Sequence, residues 1–164
     1  MKNEISVRNY QREDGEALAN IYFNTIHQIN IEHYTEEQVD AWAPRLESEG
    51  FAKKFSRTNP IVAVVEDTIV GFAEFEQNGH IDCFFCHHEW IGKGVGSALM
   101  KEILKRAEAK HIDRIFSEVS LTAKPFFEKQ GFVVLAEQKV VLNGVEFTNF
   151  KMERALVKAP SRPA

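Results

Sequence analysis

The sequence predicts an α/β domain built on a single mixed, mainly antiparallel central sheet of about seven strands flanked by helices. Three observations point to it. Three β-rich runs, PIVAVVE from Pro60, TIVGFAEFE from Thr68 and HIDCFFC from His80, follow one another with only Asp67 and Gln77-Asn78-Gly79 between them, as in an antiparallel meander. At Gly94 the apolar period changes from two to that of a helix, with Val95, Ala98, Leu99, Ile103, Leu104 and Ala107 in one stripe and Lys101, Lys105, Arg106 and Lys110 left for solvent. Near the end, Asn143-Gly144 stands between two alternating runs, a strong two-residue hairpin signal.

The elements follow in order. Residues Glu4 to Asn9 alternate, with Ile5 and Val7 on one side, and read as a first strand. Asp14 is placed to cap a helix whose apolar stripe is Ala17, Leu18, Ile21, Tyr22, Thr25 and Ile29. In YTEEQVDAWAP, Thr35 and Gln38 have capping-box spacing and Pro44 ends the turn, and a further helical piece runs from about Arg45 to Phe55. After the meander and the long helix, Arg114 to Val119 reads as a strand, Thr122 to Gln130 as a short helix closed by Gly131, and Phe132 to Leu142 and Val145 to Met152 as the arms of the hairpin. The unit from His80 to Val119 is strand, helix, strand, so those two strands should run parallel.

A length of 164 residues suits one domain, and 44% hydrophobic with 27% charged residues suits a soluble chain with one core, so residues 1–155 are assigned to a single domain. Residues 156–164, ending in APSRPA, are expected to be a disordered tail. A net charge of −4 lacks the basic face that nucleic acid requires, which argues against DNA or RNA as partner and leaves a basic small molecule or peptide open. No apolar segment follows the first lysine and no run is long enough to cross a bilayer, so the expected location is the cytoplasm, without a membrane partner. Two cysteines in such a chain are expected to be reduced thiols.

Two motifs in CFFCHHEWIGKGVGSALM compete for the chemistry. CFFCH has the spacing of covalent haem attachment. Yet Cys83 and Cys86 lie three apart on an apparent strand, so their side chains point to opposite faces and cannot easily grip one ligand; zinc would also need a second ligand pair that the sequence lacks. The reading is therefore no metal and no haem. The glycine run fits better. Gly92, Gly94 and Gly96 come after a strand and before a long amphipathic helix, whose first N–H groups are unpaired and favour an anion. Lys93 sits between the first two glycines, which excludes a Walker A loop; Ser97 in the last glycine place and Asp113 before the next strand disfavour a dinucleotide fold.

These residues resemble the GCN5-related N-acetyltransferase (GNAT) superfamily over roughly Ile5 to Glu153. Its [QR]-x-x-G-x-[GA] pyrophosphate motif corresponds to Ile91-Gly92-Lys93-Gly94-Val95-Gly96, and its N-x-x-A-x-x-[FL]-Y-x-x-x-G-F pattern to SLTAKPFFEKQGF, Ser120 to Phe132. The resemblance implies an acetyl-CoA-dependent N-acetyltransferase. Phe84, Phe85 and Cys86 on the strand would meet the pantetheine arm, the amides from Ile91 to Ser97 (Gly92, Lys93, Gly94, Val95 and Gly96 between them) the pyrophosphate, and Ser120, Phe126 and Phe127 would complete the cofactor site. It also implies that the two strands around the long helix splay apart, with the thioester between them and an amine entering from the other side.

Three positions depart from the pattern. Ile91 replaces Gln or Arg, Ser120 replaces Asn, and Phe127 stands where many members have the tyrosine that protonates the leaving thiolate. Either another group or water serves as acid, or the thiolate leaves unprotonated. The base is sought first at His80 and Asp82, then at Glu74, then at His27 and Tyr34, with a backbone N–H near Phe85 or Cys86 meeting the developing oxyanion. His27, Tyr34 and Trp42 are acceptor-pocket candidates. Tyr22, Phe23, Tyr34 and Trp42 with Glu32, Glu36, Glu37 and Asp40 would make an aromatic, acidic mouth for a cationic amine, or else core and solvated helix face. A non-catalytic acyl-CoA-binding module is the alternative that Phe127 motivates, a haem or redox protein a weaker one, and a homodimer through the strand after Asn143 a further expectation.

Overall fold

All five residues of the strand Ile61–Val65 are buried, and they organise the fold by facing both ways. Val62 and Val64 belong to an apolar cluster with Leu18, Ile21, Phe55 and Phe72, while Ile61, Ala63 and Val65 belong to another with Leu99, Met100 and Ile103. The computed structural model describes residues 4–44 and 48–156. In chain order these form β1 (Ile5–Asn9), α1 (Gly15–Gln28), α2 (Glu36–Trp42), α3 (Ser48–Thr58), β2 (Ile61–Val65), β3 (Thr68–Phe75), β4 (Ile81–Cys86), α4 (Val95–Ala109), β5 (Arg114–Ser120), α5 (Lys124–Lys129), β6 (Val133–Leu142) and β7 (Val145–Ala155), with three short 3-10 turns between them. The first residues of the helix expected from Arg45, and all but the first residue of the expected tail, lie outside the described residues.

The seven strands are divided between two sheets, β1-β2-β3-β4 and β5-β7-β6, with antiparallel neighbours throughout. The parallel crossover survives only as an isolated bridge between His80 and Phe116. The hairpin after β6 turns at Asn143 (φ 48°) and Gly144 (φ 78°), both left-handed as a type I′ turn requires. Strand β7 is the middle of its sheet and β6 the edge, so the strand after Asn143 offers no free edge to a second subunit. The reason is topological: the tight hairpin lays β7 between β6 and β5.

Helix α4 buries Val95, Leu99, Met100, Ile103 and Ala107, a stripe at 3.6-residue spacing worth roughly 1.5–3 kcal/mol for each large side chain removed from water. Its first turn lies hard against β3 because Gly71 has no side chain: a Cβ there would be 2.7 Å from Val95 Cγ1 and 2.9 Å from the Phe85 carbonyl. The Thr35–Gln38 capping box is formed at α2. Asp14 does not cap α1 with its side chain. Instead it is gripped by Arg8 through two bonds of 2.7 and 3.1 Å and accepts the Gln11 N–H at 2.8 Å, pinning the turn between β1 and α1. No helix among the described residues is long and apolar enough to cross a membrane.

Candidate active site

Strand β4 has two different edges. Towards β3 it is paired along its length. Towards β5 it is tied only at its start, by the His80–Phe116 bridge, by the Phe116 N–H to the Gly79 carbonyl (3.1 Å) and by Ser117 Oγ donating to the Ile81 carbonyl (2.7 Å). Beyond Ile81 the two sheets part, and a cavity of about 900 Å³ opens between them.

Side chains alternate along β4, so the cavity has two halves. Phe84 and Cys86 pack with Trp90 and Phe126 on the side of α4, whereas Cys83 and Phe85 pack with Tyr22 on the side of α1. On the α4 side the strand leads into Ile91, Gly92, Gly94, Val95, Gly96 and Ser97, all lining the cavity. Gly94 holds φ 90° as the N-terminal cap of α4, and no side chain caps that end, so the first helical N–H groups have no intrahelical acceptor and face an anion-favouring field. A Cβ on Gly92 would meet nothing within 4 Å, and one on Gly96 would strike Phe126 Cζ at 2.9 Å. One glycine leaves room, the other lets a ring close over the helix end. Lys93 is turned out of the loop and lies over the Trp90 ring at 5.1 Å.

Ser120 Oγ lines the same half but accepts the Ala123 N–H at 3.1 Å. The shorter side chain that replaces Asn thus fixes the turn into α5. Phe127 is 2% exposed, within 5.5 Å of Phe84 and 4.9 Å of Phe132; its place is filled by a ring of the core.

On the α1 side the polar groups gather around a bulge. The register between β3 and β4 shifts so that Glu74 faces Cys83 and Phe75 faces Ile81, leaving Asp82 as the extra residue. A bulge re-aims its side chain. As a result Glu74, Asp82 and Cys83 each bring a polar atom within 4.8 Å of the others. Glu74 is 1% exposed, neither of its oxygens accepts a hydrogen bond, and the Lys54 ammonium from α3 lies 3.3 Å away. Lys54 Nζ also approaches Cys83 Sγ at 3.8 Å. Burial, and then the Glu74 charge, push the Asp82 carboxyl above its ordinary value, with Lys54 and His80 opposing. Burial pushes the Cys83 thiol well up and the Cys86 thiol to about 11, so both are neutral thiols.

Of the residues singled out in the sequence, Asp82, Tyr34 and Trp42 line the cavity together with Lys54 and Glu118, while Glu74 lies behind the wall. His80 does not line it. Its ring bridges Glu76 (Nδ1, 3.1 Å) and Glu118 (Nε2, 2.8 Å) at the closed end of the splay. His27 is absent from the lining too, with Nε2 2.8 Å from the Ala43 carbonyl and its ring stacked on Phe23. The Tyr34 hydroxyl donates to the Thr148 carbonyl at 2.8 Å and accepts the Leu121 N–H at 2.9 Å, and burial raises its pKa. Glu32, Glu36, Glu37 and Asp40 are exposed and line no part of the cavity.

Among the described residues two groups of side chains have the spacing of a cation site, Glu74 with Asp82 and Cys83, and Glu76 with His80 and Asp82. In the first the Lys54 ammonium already pairs with Glu74; in the second both His80 ring nitrogens are taken by carboxylates. Sequence reasoning did not single out Lys54, Glu118 or Phe147. The first carries no motif, and the others reach the cavity only through the strand order β5-β7-β6.

Comparison with known proteins gives the same picture. The family model for the acetyltransferase (GNAT) domain matches residues 30–154. The chain is 34% identical over 150 residues to YafP, an uncharacterized N-acetyltransferase of Escherichia coli strain K12, covering 92% of this chain and 95% of that protein. It superposes on the crystal structure of a GCN5-related N-acetyltransferase from Rhodopseudomonas palustris with a TM-score of 0.88 at 30% identity, over 95% of this chain and 98% of that one. With YncA of Salmonella typhimurium, solved with its cofactor acetyl-CoA, it shares the fold, with a TM-score of 0.72 at 16% identity over 98% and 99% of the two chains.

Proposed function

This chain belongs to the GNAT acetyltransferase family and is an acetyl-CoA-dependent N-acetyltransferase, and from that membership we propose how its own residues divide the work. The observation that carries the reading is the unpaired edge of β4 leading, through the turn His88–Trp90 and the glycine loop, to the uncapped N-terminus of α4, inside the cavity that Asp82 also lines. Backbone groups at Phe84, Phe85 and Cys86 hold the pantetheine arm, and the amides from Gly92 to Ser97 hold the pyrophosphate. Bound there, acetyl-CoA supplies a thioester already activated towards an amine, which is why the transfer calls for no metal ion.

Asp82 takes the proton from the ammonium of the acceptor. It is the carboxylate at the cavity wall on the α1 side, and its raised pKa makes it a stronger base than an ordinary aspartate. Glu74 supports that basicity from behind, with the Lys54 ammonium 3.3 Å from its carboxylate. His80 is a positioning residue, holding Glu118 at the closed end of the splay. Phe127 gives no proton, so the thiolate leaves without a side-chain acid.

The acceptor is a primary amine, and a net charge of −4 supports neither DNA nor RNA as partner. The two unpaired cysteines fit a reducing compartment, and we assign the protein to the cytoplasm. A second copy of the chain is the further partner, along the β6 edge. The test is release of CoA thiol from acetyl-CoA in the presence of primary amines. Wild type should turn over and Asp82→Asn should lose about 10²-fold in kcat while still binding acetyl-CoA. Binding with no turnover by wild type on any amine would instead establish a non-catalytic acyl-CoA module, the reading that the buried Phe127 favours.

A further inference from the structure

The half of the cavity on the α1 side is walled by rings. Tyr22 from α1, Tyr34 and Trp42 around α2, Phe85 from β4 and Phe147 from β7 all line it. They form one network: Tyr22 and Phe85 meet edge to face at 5.0 Å, Tyr34 and Trp42 at 5.5 Å, Trp42 and Phe147 at 6.0 Å, and Trp42 and Phe85 are 6.5 Å apart. The hydroxyls of the two tyrosines are already spent on backbone. Tyr34 Oη is bonded to Thr148 and Leu121, and Tyr22 Oη donates to the Trp42 carbonyl at 3.4 Å. The tyrosine and phenylalanine rings therefore offer carbon to a ligand, with Val140 and Leu142 of β6 adding more.

Charge is sparse. Lys54, Asp82 and Glu118 are the charged side chains among the lining residues, and the ammonium of Lys54 is engaged by Glu74. An acceptor with several cationic centres would need several anions along its length, and the acids that could have supplied them (Glu32, Glu36, Glu37 and Asp40) face solvent. An acceptor with one amine and a flat apolar body fits both features: its ammonium reaches Asp82, and its ring extends the edge-to-face network.

Resting on the transfer reading above, we propose that the acceptor is a primary monoamine carrying an aromatic body, an arylalkylamine, ahead of a polyamine or a lysine side chain. The reaction balances as acetyl-CoA plus the arylalkylammonium giving the N-acetyl amide, CoA thiol and one proton. That proton leaves through Asp82.

The test is kcat/KM by thiol release for phenethylamine, tryptamine, spermidine and a lysine-containing peptide. The expected result is a preference of at least tenfold for phenethylamine or tryptamine, with Trp42→Ala raising KM for that amine about tenfold, the size of one lost ring contact, and leaving the thermal shift with acetyl-CoA intact. Spermidine or the peptide turned over as well as, or better than, either aryl amine would overturn the acceptor class while leaving the transfer reading in place. If Trp42→Ala lowers kcat equally for every amine, the ring wall does not select the acceptor and the inference fails. Absence of turnover on any amine, with acetyl-CoA still bound, removes the transfer reading itself.

Discussion

The ammonium of Lys54 lies 3.3 Å from Oε1 of Glu74, a carboxylate with 1% of its surface exposed and no hydrogen bond to either oxygen. A buried carboxylate held by one half-exposed cation is costly to orphan. Lys54→Met is expected to lower stability by about 1–3 kcal/mol, less than for a fully buried pair because Lys54 reaches solvent. The two partners act on Asp82 with opposite sign. With Asp82 as the proposed base, the acid limb of kcat/KM should move to higher pH in Lys54→Met and to lower pH in Glu74→Gln. A pH–rate profile of the three proteins checks both signs; limbs that stay together would remove Asp82 as the titrating base.

Phe127 sits where a tyrosine acid would be expected, and it is packed among Phe84, Phe126 and Phe132. A thiol ionises near pH 8.5, so a thiolate leaves far more readily than an alkoxide. Phe127→Tyr is expected to change kcat at neutral pH by less than about threefold. A tenfold rise would mean that the missing proton limits the wild-type reaction.

His80 joins the two sheets at the root of the splay. Burial works against its charged form, but the bonds to Glu76 and Glu118 outweigh it and raise its pKa above the ordinary 6.5. A raised folded-state value contributes stability that is fully present below the unfolded pKa and is lost as pH rises through the folded one. The thermal midpoint of wild type should therefore fall relative to His80→Gln as pH climbs from about 6.5 through the raised value. Parallel midpoint-against-pH curves for the two proteins would contradict the clamp.

Strand β6 is an edge on which Val133, Leu135 and Val141 are 58%, 51% and 69% exposed. Paired antiparallel with itself about Gln138, it places Glu137 of each copy opposite Lys139 of the other, a self-complementary arrangement. Sedimentation is expected to show a dimer that Val141→Lys weakens. Glu137→Lys and Lys139→Glu should each weaken it as well, and mixing those two variants should restore association; a wild-type monomer would contradict the pairing.

Much of this was legible in the sequence for definite reasons. The capping box at Thr35, the hairpin at Asn143-Gly144 and the glycines before α4 are local signals, and local signals survive folding. The bulge at Asp82 was not legible, because a register shift belongs to a pair of strands and not to either one. For the same reason alternation alone could not reveal that Asp82 is aimed beside Glu74 and Cys83. Nor could it show that His80 is consumed by Glu118, a residue of another sheet, or that Lys54 on α3 would meet Glu74. The aromatic and acidic residues around Tyr34 and Asp40 could be read as one mouth or as core and solvated face; Tyr22, Tyr34 and Trp42 line the cavity, and the acids face solvent.

The proposed seat of the pyrophosphate at the end of α4 is tested most directly by thermal unfolding of wild type and Gly94→Glu with and without acetyl-CoA. A ligand that binds the folded state alone raises the midpoint with occupancy. Gly94 holds φ 90°, and a Cβ there would meet Ile5 Cδ1 at 3.8 Å, so the substituted side chain strains the turn and puts a negative charge at the helix end. Wild type should show a clear rise and Gly94→Glu none. No rise in wild type at millimolar acetyl-CoA, or an equal rise in both proteins, would contradict that placement.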